Sequence, residues 1–195
     1  GHWRPNPYLS MKTGLKYYHW SAGDKLLDFN PDYLNGFSDM RFIRLSHEWS
    51  WDHRDRKIYP RDGLLLRGTV EKWGLGIWNQ LDRWSFSAAV QRYFELSNDW
   101  SIGGGLKVKH FAEGQQLPYR LNTGLGYGED FIRGYERVVV DGTTFALAKS
   151  EVKFQVAKCR LNLGSWVPMD NMEIVPLAFY LSGALEAGWA HDPAR

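Results

Sequence analysis

The sequence predicts an all-β, antiparallel chain that crosses a membrane as barrel wall, and three observations carry that prediction. Aromatic residues and glycine are in excess, with 10 Trp, 10 Tyr and 10 Phe beside 20 Gly in 195 residues, a composition that suits strands and tight turns better than helices. Apolar and polar residues alternate with a period of two along most of the chain, and no segment reads as a good helix. The connections between the alternating segments are long and short by turns, which is the asymmetry of an outer-membrane barrel.

Composition narrows the field further. Lys plus Arg number 24 against 22 Asp plus Glu, a net charge of +2, so no basic excess points to nucleic acid. Hydrophobic residues at 44% and charged residues at 24% exclude a disordered chain. The single cysteine, Cys159, excludes an internal disulfide framework and a cysteine-based zinc cluster. The charge-free run from Ile174 to Leu185 is 12 residues long, whereas a spanning helix needs about 20. The opening Gly-His-Trp-Arg-Pro carries no apolar signal segment, so the expectation is a removed signal or an internal stretch of a longer polypeptide.

About seven strands are expected. The first, residues 8–20, sets Met11, Thr13, Leu15 and Tyr17 against Lys12, Gly14, Lys16 and Tyr18. The second, 40–51, puts Ile43, Leu45, Trp49 and Trp51 opposite Arg44, Ser46, Glu48 and Ser50. The third, 63–73, opposes Leu64, Leu66 and Val70 to Arg67, Thr69 and Glu71, and the fourth, 83–94, opposes Trp84, Phe86, Ala88 and Val90 to Ser85, Ser87 and Gln91. In the fifth, 100–111, Ile102, Leu106 and Val108 face away from Gly103, Gly105, Lys107 and Lys109. The sixth, 143–156, has a densely charged face of Lys149, Glu151, Lys153 and Gln155 behind Ala146, Ala148, Val152, Phe154 and Val156. The seventh, 173–189, is the longest, with Val175, Leu177, Phe179, Leu181, Leu185 and Trp189 opposite Tyr180, Ser182, Ala184 and Glu186.

Alternation alone fits a soluble sandwich as well as a membrane barrel, because both have one apolar and one polar face. The connections at 21–38, 74–82 and 112–142 are each longer than the ones that follow them, 52–62, 95–99 and 158–172, which favours the barrel. Strands of 11 to 17 residues also exceed the five or six usual in globular sheets and cover the roughly 9 to 11 needed to cross hydrocarbon at a tilt. Trp20, Trp51, Trp73, Trp84, Trp100 and Trp189, near strand ends, read as interfacial girdle aromatics.

Two stretches narrow the reading to a family. Trp51-Asp52-His53-Arg54-Asp55-Arg56-Lys57-Ile58-Tyr59-Pro60-Arg61-Asp62-Gly63 resembles the short turn of the BamA/TamA outer-membrane assembly factors, aromatic-Asp, Arg-Asp, then aromatic-Pro-x-x-Gly before a rising strand. Ile132-Arg133-Gly134-Tyr135, following Gly124, Gly126 and Gly128, resembles that family's Val/Ile-Arg-Gly-Phe/Tyr signature, carried on a long extracellular loop that folds back into the lumen. Ala148 to Phe154 and Leu185-Glu186-Ala187-Gly188-Trp189 are similar to the two strands that follow it. The resemblance runs from about Tyr8 to Asp192. It implies that residues 1–195 are part of one barrel domain of about sixteen strands, beginning mid-barrel and stopping about three strands before its end, with a lumen-directed loop at about 112–142.

Within this reading Arg133 is the central candidate. A guanidinium is charged at any ordinary pH and offers five donors in a planar fork. Its expected acidic partners are Glu151 and Glu186, placed on the polar face by parity and near the family's acidic lumen positions by resemblance. The turn motif supplies Asp52, Arg54, Asp55, Tyr59, Pro60 and Gly63. No catalytic group, cofactor or metal is expected: His19, His47, His53, His110 and His191 show no metal spacing, and Glu129-Asp130 lack a supporting base or nucleophile. The glycine-rich loop matches no phosphate-binding pattern. The resemblance implies a bacterial outer-membrane protein that assists insertion or translocation of proteins. Its implied partners are outer-membrane lipid, client outer-membrane or secreted proteins and periplasmic accessory subunits. A polypeptide secretion pore of the same superfamily and a soluble aromatic-rich carbohydrate-binding β-sandwich are the alternatives.

Overall fold

The computed structural model describes residues 1–78, 80–112, 117–162 and 174–192. Eight strands run in chain order: β1 (His2–Trp3), β2 (Leu9–Ser21), β3 (Asp39–Asp52), β4 (Gly63–Trp73), β5 (Arg83–Glu95), β6 (Trp100–Phe111), β7 (Thr144–Asn162) and β8 (Ile174–His191). They form one sheet in which every neighbouring pair is antiparallel. Successive connections therefore leave from opposite ends, long ones at one rim and short ones at the other. Among the described residues β1 and β8 pair on one side only, so the sheet is an open length of barrel wall.

Because side chains alternate across a strand, the register sorts every residue to one of two faces. The outer face carries Leu15, Tyr17, Leu45, Trp49, Val70, Phe86, Val90, Ile102, Leu106, Val152 and Leu185, all exposed. An apolar belt this wide on one side of a sheet is a lipid-facing surface. The inner face carries the charges, among them Arg44 paired with Glu71 and Lys153 paired with Glu151. The described residues form a single sheet with a broad exposed apolar face, so the sandwich alternative finds no second layer among them.

Near the rim of the long connections the inner face becomes apolar. Met40, Phe42, Trp73 and Phe111 from the strands pack with Leu34, Leu81, Leu117 and Leu121 from the connections, flanked by Tyr18 and Trp20. This plug corrects one expectation: Trp20 and Trp73 are core residues here, not girdle aromatics, because their parity turns them inward with Tyr18 and Glu71. Trp51, Trp84, Trp100 and Trp189 do face out.

Other details differ from the sequence reading. Among the described residues the strands number eight rather than about seven, because His2–Trp3 pairs with Met11 and Lys12 and covers part of the β2 edge. A short helix, α1 (Asp24–Phe29), lies in the first connection, followed by a 3-10 turn at Pro31–Leu34. The sixth expected strand continues to Asn162, past a bulge between Gln155 and Ala157. The expected last short connection falls largely on 163–173, and Glu173 with it, outside the described residues.

Candidate functional site

The connection from β6 to β7 turns back over the inner face, and several contacts hold it there. Leu125 and Val140 exchange both backbone hydrogen bonds at 2.9 Å. Beside them Asp141 accepts from Tyr127 Oη at 2.5 Å and from Tyr119 Oη at 2.8 Å. Burial first, and then the Asp141 carboxylate, push the Tyr127 phenol up to about 12. Gly126 has φ 86° and a Cβ there would lie 2.1 Å from the Val138 carbonyl oxygen, so no other residue fits the crossing. Two lysines of β6 grip the loop from the wall: Lys107 Nζ meets Asp130 at 2.5 Å and Lys109 Nζ meets Thr123 Oγ1 at 3.1 Å.

The Ile132-Arg133-Gly134-Tyr135 segment lies at the inward tip. Both oxygens of Glu186 receive from Arg133, Oε2 from its backbone N–H at 2.8 Å and Oε1 from Nε at 2.5 Å. The Glu186 side chain is 3% exposed and that of Arg133 49%, so the carboxylate is the desolvated member of the pair. Lys149, opposite Glu186 in the β7–β8 register, brings Nζ to 4.0 Å from the same carboxylate and lies over the Phe131 ring. Glu151 is a more distant partner, at 4.0 Å from Arg133 Nη2, with its carboxylate taken by Lys153 at 2.7 Å. Gly134 turns the chain at φ 86°, and Tyr135 projects away, 62% exposed. Gly103, Gly104 and Gly105 of β6 run opposite Glu151, Ser150 and Lys149. Gly103 and Gly105 turn to the inner face and, with Gln91 and Tyr93, line the cavity beside Arg133.

At the opposite rim the turn motif forms a second compact unit. Arg54 forks onto Asp52, Nε to Oδ1 at 2.8 Å and Nη2 to Oδ2 at 2.9 Å. Asp55 Oδ1 accepts the backbone N–H of Arg61 at 3.0 Å and of Asp62 at 3.3 Å. Tyr59 takes a left-handed φ of 52° and lays its ring parallel to Tyr180 of β8, centroids 6.1 Å apart. The Pro60 carbonyl accepts from Lys153 Nζ at 3.2 Å. Gly63 has φ 115°, and a Cβ there would meet the His53 carbonyl oxygen at 2.3 Å.

Sequence reasoning missed the residues that fasten these units. Arg61 is 6% exposed; its guanidinium donates to Gln155 Oε1 at 3.2 Å and to the Ser97 and Asn98 carbonyls at 2.9 and 2.5 Å. Its place inside the turn motif is visible in the sequence, but its partners lie as far as 94 residues along the chain. Lys153 reads from sequence as a polar-face residue without a partner, and Asp141 carries no signal at all. Among the described residues no group of His, Cys, Asp and Glu could hold a metal ion, and no helix is long and apolar enough to cross a membrane.

An antiparallel wall with an apolar outer face, a charged inner face and a loop pinned to that inner face defines a class, the transmembrane β-barrel, of which this sheet is a part. The Omp85 superfamily domain matches residues 2–151, and the chain belongs to the Omp85 superfamily. Among solved structures it is similar to the crystal structure of BamA from Haemophilus ducreyi lacking POTRA domains 1-3, with a TM-score of 0.58 and 13% identity over 95% of this chain. That likeness is one of fold, and the chain spans 40% of the length of that structure. No curated protein matches the chain.

Proposed function

We propose that this chain is an inner stretch of the barrel of a BamA/TamA-type assembly factor in the bacterial outer membrane, and that its Arg133 loop locks the lumen while client proteins enter the bilayer. The observation that carries the reading is the two-point hold of Glu186 on Arg133. A loop reaching the inner wall from the far end of the sheet, and ending on a desolvated carboxylate, is built to stay in the lumen. The action is non-covalent and uses no cofactor. By resemblance, a weak barrel seam and local membrane thinning let client strands pair and insert, and the seam strands lie outside this chain. Outer-membrane lipid bathes the apolar belt, clients are outer-membrane or secreted proteins, and periplasmic subunits assist.

The test is an Arg133→Ala variant of the full-length protein in its native membrane. The expected result is a fall in folded, heat-modifiable client barrels with no gain in secreted polypeptide. Loss of a secreted polypeptide with client barrels unchanged would instead identify the secretion pore. No change in either would remove the lock.

A further inference from the structure

The two motifs enter from opposite rims, yet one short line of side chains joins them. Glu151 stands between Lys153, at 2.7 Å, and Arg133, at 4.0 Å. Lys153 is 6% exposed on its side chain, and its ammonium also reaches the Pro60 carbonyl at 3.2 Å. The rings of Tyr93 and Tyr59 lie 5.2 and 5.8 Å from the same nitrogen. Gly103, opposite Glu151, makes the room: a Cβ there would be 2.5 Å from the Tyr93 ring and 3.4 Å from Glu151 Cγ. The sequence of contacts is Pro60, Lys153, Glu151, Arg133, Glu186.

At 4.0 Å the Arg133–Glu151 pair is beyond hydrogen-bond range, whereas Lys153–Glu151 at 2.7 Å is within it. The carboxylate is therefore committed to Lys153 while the turn is seated. A buried cation needs its carboxylate, since an unpaired charge in a desolvated site is strongly unfavourable. If Glu151 swung fully onto Arg133, Lys153 would lose its only ion partner among the described residues and its hold on Pro60 would weaken. An Arg133 released from Glu186 but still beside Glu151 would draw that carboxylate off Lys153, whereas an Arg133 removed altogether would leave Glu151 wholly to Lys153.

We propose that Lys153 is a positioning residue that couples the Trp51–Gly63 turn to the Ile132–Tyr135 loop, so that release of the loop from Glu186 loosens the turn at the opposite rim. The inference rests on the loop-lock reading and adds to it a defined route to the other end of the barrel. Steric packing alone would give each motif its own independent stability.

The experiment measures tryptic cleavage between Arg54 and Arg61 in the full-length protein in isolated outer membranes, with heat-modifiable mobility as the folding control. Cleavage of an ordered turn reports its local opening. Lys153→Met should speed cleavage several-fold, and Glu186→Gln, which frees Arg133 to draw Glu151 off Lys153, should speed it in the Lys153 background but add nothing in Lys153→Met. Should Lys153→Met fail to fold, Glu151→Gln serves, and it should abolish the effect of Glu186→Gln in the same way. A Glu186→Gln effect that is equal in both backgrounds, or absent in both, overturns the coupling. Client assembly is scored on the same variants, so a lock that fails and a coupling that fails give different results.

Discussion

The Ile132 side chain occupies the space that Gly188 of β8 leaves empty. A Cβ on Gly188 would sit 2.9 Å from Ile132 Cδ1 and 2.6 Å from Leu125 Cδ1, and Leu125, Phe145 and Leu147 form the small apolar cluster around it. The loop is thus seated by shape on one side of its tip and by charge on the other. Gly188→Ala should be accommodated by rotation of these flexible side-chain ends. Gly188→Leu cannot be, and overpacking of this kind costs about 1 to 3 kcal/mol. The expected outcome is protease access to the Gly134 region in the leucine variant only.

Gly63 is tighter, because its neighbours are backbone atoms. With φ 115° and the His53 carbonyl oxygen 2.3 Å from where a Cβ would stand, Gly63→Ala should lower stability by about 1 to 3 kcal/mol. Urea titration of the heat-modifiable band checks this. An unchanged midpoint would mean the turn relaxes freely.

Removing either member of the Arg133–Glu186 pair should not be equivalent. Arg133→Ala strips its cover from a carboxylate that is 3% exposed with the arginine in place and leaves it a backbone N–H and a lysine at 4.0 Å, whereas Glu186→Ala frees a half-exposed guanidinium to reach water. The arginine variant should therefore be the less stable of the two, by about 1 to 2 kcal/mol. Equal losses would place Glu186 in a wetter site than this.

Tyr127 sets a pH dependence. Its phenol is raised to about 12 by burial and by Asp141, so the folded loop holds the proton more tightly than the unfolded chain, whose phenols ionise near 10. The associated stability is fully present below the unfolded value and is lost as pH rises through about 12. A difference titration of phenolate absorbance, wild type minus Tyr127→Phe, should show the missing phenol ionising near 12. Ionisation near 10 in that difference would contradict the packed Tyr127–Asp141 contact.

Sidedness follows from the two kinds of connection. A cysteine at Phe29, which is 91% exposed in the first long connection, should react with an impermeant thiol reagent on intact cells in a Cys159→Ser background. A cysteine at Lys57, in the short turn, should react only after the outer membrane is opened. The reverse pattern would invert the barrel.

Much of this wall was legible in the sequence because the information is local. Period-2 alternation put Leu15, Leu45, Phe86, Ile102 and Leu185 on one face and Lys107, Glu151 and Glu186 on the other, and the strands observe that division. The turn and loop motifs could be located by their own residues for the same reason. Local alternation cannot say what an inward side chain meets. Trp20 and Trp73 became core only because the long connections bring Leu34, Leu81 and Leu121 over them. Arg61 became a clamp only because Ser97, Asn98 and Gln155 converge on it from later strands. Whether Glu151 belonged to Arg133 or to Lys153 depended on a few ångströms of register and on the space left by Gly103. Alternation and turn chemistry act between neighbours in the chain, so the sequence by itself determined the faces of the wall. Desolvation and pairing act between neighbours in space, so the tertiary structure alone decided which inward charges and rings meet.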